Sequence, residues 1–240
     1  LFLHGYLETL YIWSDFIEKF TDKYRVIAID LPGHGLSGSF EVNSMERVSG
    51  AISSLLNSLE IFSNVVLIGH SMGGYVALDS IKRFPNLFSS VILLHSTPYA
   101  DSDQKKIERE REIELIRLNK LHQIASLSLS KIFSNSNINR LEDKILELVE
   151  ISEVHDPEGI VSSIKGIMLR EDNSDFFMSL QFPKLIVLGS CDNYITAETS
   201  LKMHTTFGSC VITIPQTGHC SFIEAPNELA TILSEFLANI

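Results

Sequence analysis

The segment Gly69-His70-Ser71-Met72-Gly73-Gly74 sets a serine among glycines, after the apolar run 64–68 and before a helical pattern that begins at Met72. A serine on a sharp strand-to-helix turn needs neighbours without Cβ atoms, because the backbone crowds there. Such a turn pushes the Ser71 hydroxyl into a crevice, where the helix N-terminus supplies amide donors and a positive dipole end. The chemistry these residues suit is attack of an alcohol oxygen on an acyl carbon. A phosphate-cradling loop is excluded, since no Gly-Lys-Ser/Thr follows. The alternative is a glycine-rich turn with an incidental serine.

A serine hydroxyl is a weak nucleophile at neutral pH and needs a base. The chain has eight histidines. Among them, His219 lies in Gln216-Thr217-Gly218-His219-Cys220, a loop after the last apolar run. The base must be oriented by a carboxylate that also stabilises the imidazolium. Asp192 follows the run 184–188, again at the C-terminal end of a strand-like segment. The chain order Ser71, Asp192, His219 is the one expected of this triad on an α/β sheet. Read singly, Asp192 suits a helix cap and His219 an ordinary loop histidine. An oxyanion also needs donors. The Met72 N–H follows the nucleophile directly, and the loop His4-Gly5-Tyr6, after the strand at 1–3, offers the Tyr6 N–H. His4 is read as a brace for that loop.

These side chains need elements that bring them to one place. The runs 25–29, 64–68, 90–94, 184–188 and 210–214 are apolar nearly throughout, which suits strands covered on both faces and hence a mostly parallel sheet. Helical patterns near 9–20, 44–60, 72–84, 194–206 and 226–239 alternate with them, the α/β order. Between 97 and 182 no strand is evident. The stretch 103–121 is charge-rich with a helical period, and Leu141, Ile145, Leu148 and Val149 repeat at helical spacing. This interval is too long for one crossover and reads as a helical lid over the C-terminal edge of the sheet, where open α/β sheets bind ligands; ordinary crossover helices are the alternative. His95 and Ser96 end the strand that leads into it and are candidate pocket residues, His95 being equally suited to a core. Arg170 closes it, either to hold a substrate carboxylate or to pair with an acid such as Asp172. Trp13, Phe16 and Phe20 recur at helical spacing and read as core.

The charge of −11 over 240 residues gives no basic footprint for a nucleic-acid backbone or an anionic membrane. The apolar runs are far too short to span a bilayer. Three cysteines (Cys191, Cys210, Cys220) form no CxxC pair and cannot all pair within the chain, which argues for a reducing compartment and a cytoplasmic location. Cys191 and Cys220 flank the proposed acid and base, either as small buried side chains or as a redox-sensitive pair. His122, His155 and His204 show no partner pattern, and no metal-ligand spacing occurs. Neither a metal nor a cofactor is expected.

Taken together, His4-Gly5-Tyr6, the Asp-Leu-Pro-Gly-His-Gly-Leu-Ser stretch at 30–37, the segment 69–74, Gly189-x-x-Asp192 and Gly218-His219 resemble the α/β-hydrolase fold superfamily, closest to its single-domain serine esterase, lipase and acyl-hydrolase branch with a helical cap. The resemblance implies a doubly wound core over 1–96 and 183–240 and a helical cap over 97–182. It implies a cofactor-free hydrolase that opens a small carboxylic ester, thioester or lactone through an acyl-enzyme, working as a monomer or homodimer on a small acyl substrate. The turn Pro32-Gly33-His34-Gly35 is family-typical and structural. The family sheet normally has further strands before the His-Gly motif, so an N-terminal extension carrying them is expected. A nucleophilic serine disfavours the dehalogenase and epoxide-hydrolase reactions, which need a carboxylate. A carbon–carbon hydrolase or lyase on the same triad, or a weakly catalytic ligand receptor, are the rival readings.

Overall fold

Residues 1–240 are all described by a computed structural model. Six strands, β1 (Phe2–Leu3), β2 (Ala28–Ile29), β3 (Val65–His70), β4 (Phe88–Leu94), β5 (Lys184–Gly189) and β6 (Val211–Ile214), form one parallel sheet in the order β2-β1-β3-β4-β5-β6. The strands are apolar on both faces because both faces are covered. Successive residues point to opposite sides. Ile92, Leu94, Leu185 and Val187 therefore enter one buried cluster with Trp13, Phe16 and Phe20, while Val91, Leu93, Ile186 and Leu188 enter the other.

Eleven α-helices surround the sheet. The short α1 (Ser14–Ile17) continues a 3-10 turn at Leu10–Trp13; α2 (Met45–Ser58) and α3 (Met72–Arg83) pack as a pair. Between β4 and β5 come α4 (Asp103–Arg117), α5 (Leu121–Lys131), α6 (Glu142–Ser152), α7 (Pro157–Met168) and α8 (Ser174–Ser179), with no strand among them. The chain ends with α9 (Ala197–Phe207), α10 (Ser221–Glu224) and α11 (Pro226–Ala238). Local sequence explains several starts. Ser44, Ser102, Asp156 and Thr196 cap α2, α4, α7 and α9 through side-chain oxygens, and Pro157 supplies the preset φ at the first position of α7.

Two elements are shorter than their sequence pattern. The run 25–29 yields only Ala28–Ile29, because its single neighbour, β1, itself offers only two residues to pair with. The pattern at 9–20 becomes a 3-10 turn and one turn of helix rather than a continuous helix.

The register positions the site. Leu3 lies opposite Gly69, Gly69 opposite Leu93, Leu94 opposite Val187, and Gly189 opposite Ile214. The loops beginning at His4, Ser71, His95, Ser190 and Pro215 consequently leave one and the same edge of the sheet, the edge at which open α/β sheets take ligands. Close approach of β1, β3 and α3 at that edge requires glycine. A Cβ on Gly69 would lie 2.5 Å from the Gly73 carbonyl oxygen, and one on Gly73 would run into the Leu3 carbonyl. Gly73→Ala is expected to destabilise the fold by about 1–3 kcal/mol through overpacking against backbone. Chemical denaturation reads this directly, and a variant as stable as its parent would count against it.

Candidate active site

Ser71 sits between β3 and α3 with φ 49° and ψ −113°, a left-handed conformation that a non-glycine residue adopts only when its surroundings enforce it. The enforcing contacts are visible. The Ser71 N–H donates to the Leu94 carbonyl at 2.9 Å, and the Ser96 hydroxyl donates to the Ser71 carbonyl at 2.7 Å. The Ser71 hydroxyl itself hydrogen-bonds to no protein group. At the first turn of α3 the Met72 N–H has no intrahelical acceptor.

His219 and Asp192 come together across two loops. His219 Nδ1 donates to Asp192 Oδ2 at 2.7 Å, which leaves Nε2 as the ring nitrogen with no protein partner. The His219 backbone is held on both sides: its N–H donates to the Ile132 carbonyl at 2.6 Å, and its carbonyl faces His70 Nε2 at 2.7 Å. The other Asp192 oxygen, Oδ1, accepts the N–H groups of Tyr194 at 2.7 Å and Ile195 at 2.9 Å. Burial alone would raise the Asp192 carboxyl, but the His219 and His95 imidazoles beside it hold it well below the usual carboxylate range. Asp192 thus stands as a fixed, ionised acceptor.

The residues read as pocket candidates have other partners. His95, wholly buried with φ 46°, places Nδ1 3.3 Å from Asp192 Oδ2. Its Nε2 accepts the Ser221 N–H at 3.2 Å and meets the Ser221 hydroxyl at 2.7 Å. A nitrogen that accepts an amide carries no proton, so Nδ1 is the donor and Asp192 Oδ2 receives two imidazole N–H groups. Ser96 is engaged with the Ser71 carbonyl. Arg170 pairs with Asp101 at 2.8 Å rather than with Asp172, and stacks over Tyr75 at 4.0 Å; Asp172 instead accepts from Ser174. Of the cysteines, Cys220 is buried, Cys191 is exposed, and all three thiols are free.

The loop after β1 is braced as its sequence suggests. Leu31 N–H donates to His4 Nε2 at 2.9 Å, so His4 Nδ1 carries the proton given to the Gly5 carbonyl at 2.7 Å. The Gly5 N–H donates to Glu8 Oε2 at 2.6 Å, whereas the Tyr6 N–H donates to no protein group. The Tyr6 hydroxyl crosses to α4 and donates to Glu112 Oε1 at 2.9 Å. Burial raises the Glu112 carboxyl despite Tyr6 and Arg109 nearby, and pushes the Tyr194 hydroxyl up to about 12. Tyr194 packs its ring 5.0 Å from that of His219 and donates to the Ser128 carbonyl on α5 at 2.9 Å.

Sequence reading passed over Glu8, Glu112 and Tyr194. The available signal for Glu8 was a lone carboxylate inside the apolar stretch Tyr6-Leu7-Glu8-Thr9-Leu10. His155, for which no partner pattern was seen, accepts the Gly35 N–H at 3.0 Å and donates to the Leu7 carbonyl at 3.1 Å. Two donor clusters have the spacing to hold a metal ion, His95–Asp192–His219 and Glu8–His70–Cys220, each within 4.8 Å. In the first, both Nδ1 protons already point at the one carboxylate oxygen, so a metal would have to displace the hydrogen bonds that define the site.

The buried imidazoles have a consequence for stability. Burial lowers His95 from 6.5 to about 4 and lowers His4, His34 and His155 in the same direction. A base with a depressed folded value binds fewer protons folded than unfolded, so its stability is present above 6.5 and is lost on acidification from there toward about 4. His95 alone is worth on the order of 3 kcal/mol across that window. His70, raised by Glu8, works in the opposite sense. The urea midpoint is therefore expected to fall between about pH 6.5 and 4, and a midpoint that holds or rises would contradict this.

No helix is long and apolar enough to cross a membrane. Comparison with known proteins places the chain in a family. The alpha/beta hydrolase fold family matches residues 1–226. The uncharacterized hydrolase YugF of Bacillus subtilis (strain 168) is 26% identical over 99% of this chain and 87% of its own length. A putative 2-succinyl-6-hydroxy-2,4-cyclohexadiene-1-carboxylate synthase of the same organism is 26% identical over 99% of this chain and 89% of its own. Among solved structures, a thermophilic esterase from Thermogutta terrifontis superposes with a TM-score of 0.92 at 27% identity, covering 99% of this chain and 88% of that one.

Proposed function

This chain belongs to the α/β-hydrolase fold family of enzymes, and we propose that within it the chain is a serine hydrolase that cleaves a small carboxylic ester, with thioester or lactone next, through an acyl-enzyme. The observation that carries this reading is the 2.7 Å contact between His219 Nδ1 and Asp192 Oδ2, formed at the same sheet edge as the strained Ser71 turn. Ser71 attacks the carbonyl, and His219 Nε2 takes the hydroxyl proton and returns it to the leaving group. Asp192, held ionised by four N–H donors, fixes the imidazole and stabilises its protonated form. The uncommitted N–H groups of Tyr6 and Met72 serve the developing oxyanion. Water activated by His219 then releases the acid.

The missing hydrogen bond between Ser71 and His219 suits a resting hydroxyl, which rotates freely and tightens onto its base once substrate is bound. Residues 97–182 act as the cap, with Tyr6–Glu112 and Tyr194–Ser128 joining α4 and α5 to the loops that carry the oxyanion donor and the acid. Three free thiols suit a reducing cytoplasm. The likeness to a putative 2-succinyl-6-hydroxy-2,4-cyclohexadiene-1-carboxylate synthase favours one second reading, in which the same triad abstracts a proton instead of forming an acyl-enzyme. A fluorophosphonate probe followed by a p-nitrophenyl ester and thioester series of rising chain length tests the proposal. Labelling at Ser71 with ester turnover is expected. Labelling without turnover of any acyl substrate would move the assignment to the second reading.

A further inference from the structure

Beside the triad, and not part of it, lies a second pair of titratable groups. His70 precedes the nucleophile in the chain and Glu8 follows the oxyanion loop, and their side chains are 0% and 2% exposed. His70 Nδ1 lies 2.8 Å from Glu8 Oε2, and His70 Nε2 lies 2.7 Å from the His219 carbonyl oxygen. A carbonyl oxygen can only accept, so Nε2 carries a proton. Glu8 Oε2 also accepts the Gly5 N–H at 2.6 Å, and the His70 ring beside it holds its carboxyl below the ordinary range, which together assign Nδ1 as a second donor. The ring is then an imidazolium, enclosed by protein.

The geometry points to Glu8 and His70 as a buried carboxylate–imidazolium brace that fixes the oxyanion loop, the nucleophile turn and the base loop relative to one another. This rests on the serine-hydrolase reading and adds two positioning residues to it. One end grips the backbone N–H of Gly5, next to the Tyr6 donor. The other end grips the backbone carbonyl of His219. The ring between them belongs to the residue bonded to Ser71. No other side-chain hydrogen bonds join these three loops. The fit is tight enough to dictate the neighbouring residue: a Cβ on Gly5 would lie 2.8 Å from His70 Nδ1 and 2.9 Å from Glu8 Oε2.

The surroundings are consistent with one charge of each sign and no other strong pull. From the base loop, the His219 ring lies 5.0 Å away and the Cys220 thiol sulfur lies within 4.8 Å of the pair. From the end of β4, the His95 ring lies 6.0 Å away; from the loop after β5, Asp192 adds a weaker favourable field; and from the oxyanion loop, His4 faces Glu8. The remaining walls are the rings of Trp13 at 6.2 Å and Phe222 at 5.0 Å. Burial opposes both charges, yet Glu8 is held below and His70 above its ordinary value, each by the other.

Two measurements decide the matter. The first is side-chain 15N NMR of the intact protein at about pH 7: His70 is expected to show the signature of a ring protonated on both nitrogens, and a neutral ring would overturn the brace even if no variant folds. The second is Glu8→Gln, with kcat expressed per site titrated by fluorophosphonate. A loss of about 10- to 100-fold in kcat, with KM changed by less than about threefold, is expected, since a misplacement of about 1 Å in the reacting groups costs that much. A purely structural role would lower Tm and leave kcat per titrated site at the wild-type value, which would overturn the proposal. A wild type whose Ser71 resists the probe would overturn both readings. A labelled wild type alongside an unaffected E8Q enzyme would overturn the brace alone.

Discussion

Ser71→Ala is expected to abolish ester turnover, with a fall of roughly 10³- to 10⁶-fold in kcat by the scale of triad dissections, in a protein that unfolds at the same temperature as its parent. The second half of that expectation is what makes the first informative. The Ser71 side chain hydrogen-bonds to no protein group, so deleting its oxygen breaks no contact. Alanine meets the same backbone demand at φ 49°, and the bonds that hold the turn run through the Ser71 N–H and carbonyl rather than its side chain. Loss of rate without loss of stability can only be chemical. Calorimetry beside an esterase assay checks both, and a folded S71A protein that still turns over would remove the nucleophile from the proposed mechanism.

Asp192→Asn is the second large effect. Four N–H groups converge on this carboxylate, two from imidazoles on Oδ2 and two from backbone on Oδ1. An asparagine has one acceptor oxygen and one donor nitrogen to put in their place. If its oxygen keeps the Tyr194 and Ile195 amides, its NH₂ confronts the Nδ1 protons of both His219 and His95. His219 then relieves the clash only by moving its proton to Nε2, the nitrogen that must accept from Ser71. A fall of about 10⁴-fold in kcat follows from that wrong tautomer. Unlike S71A, D192N should also lose stability, because His95 is tied to Ser221 through Nε2 and cannot change tautomer without losing that bond. A D192N protein with full activity would show that the carboxylate does not orient the base.

The parts of the candidate site that were legible in the sequence are those written locally. The Ser71 turn announces itself through glycines whose Cβ positions are occupied by backbone, and Asp192 and His219 through their places just after apolar runs. The parts it concealed are pairings between residues far apart in the chain. Glu8 with His70 and Tyr6 with Glu112 are separated by 62 and 106 positions, and nothing in the local composition around either acid names its partner. Arg170 shows the same limit from the other side. Asp172 is nearer in sequence, but the chain turns there so that Asp172 caps Ser174 while Asp101, after β4, meets the guanidinium. The strands of the sheet were legible, the edge strand at 211–214 included; at 25–29 only the extent differed, because the length of a neighbour sets the length of the strand.

The main-chain bond from the His219 N–H to the Ile132 carbonyl has an implication for anyone wishing to retune what this protein accepts. Residue 132 belongs to the helical insertion, and the next two residues continue the attachment: the Phe133 carbonyl accepts from Asn193 and the Ser134 N–H donates to Glu224. Exchanging the whole insertion for one taken from a relative would therefore disturb the histidine proposed as the base. A graft designed to change acyl preference has to leave 132–134 in place and make its splices on either side of them.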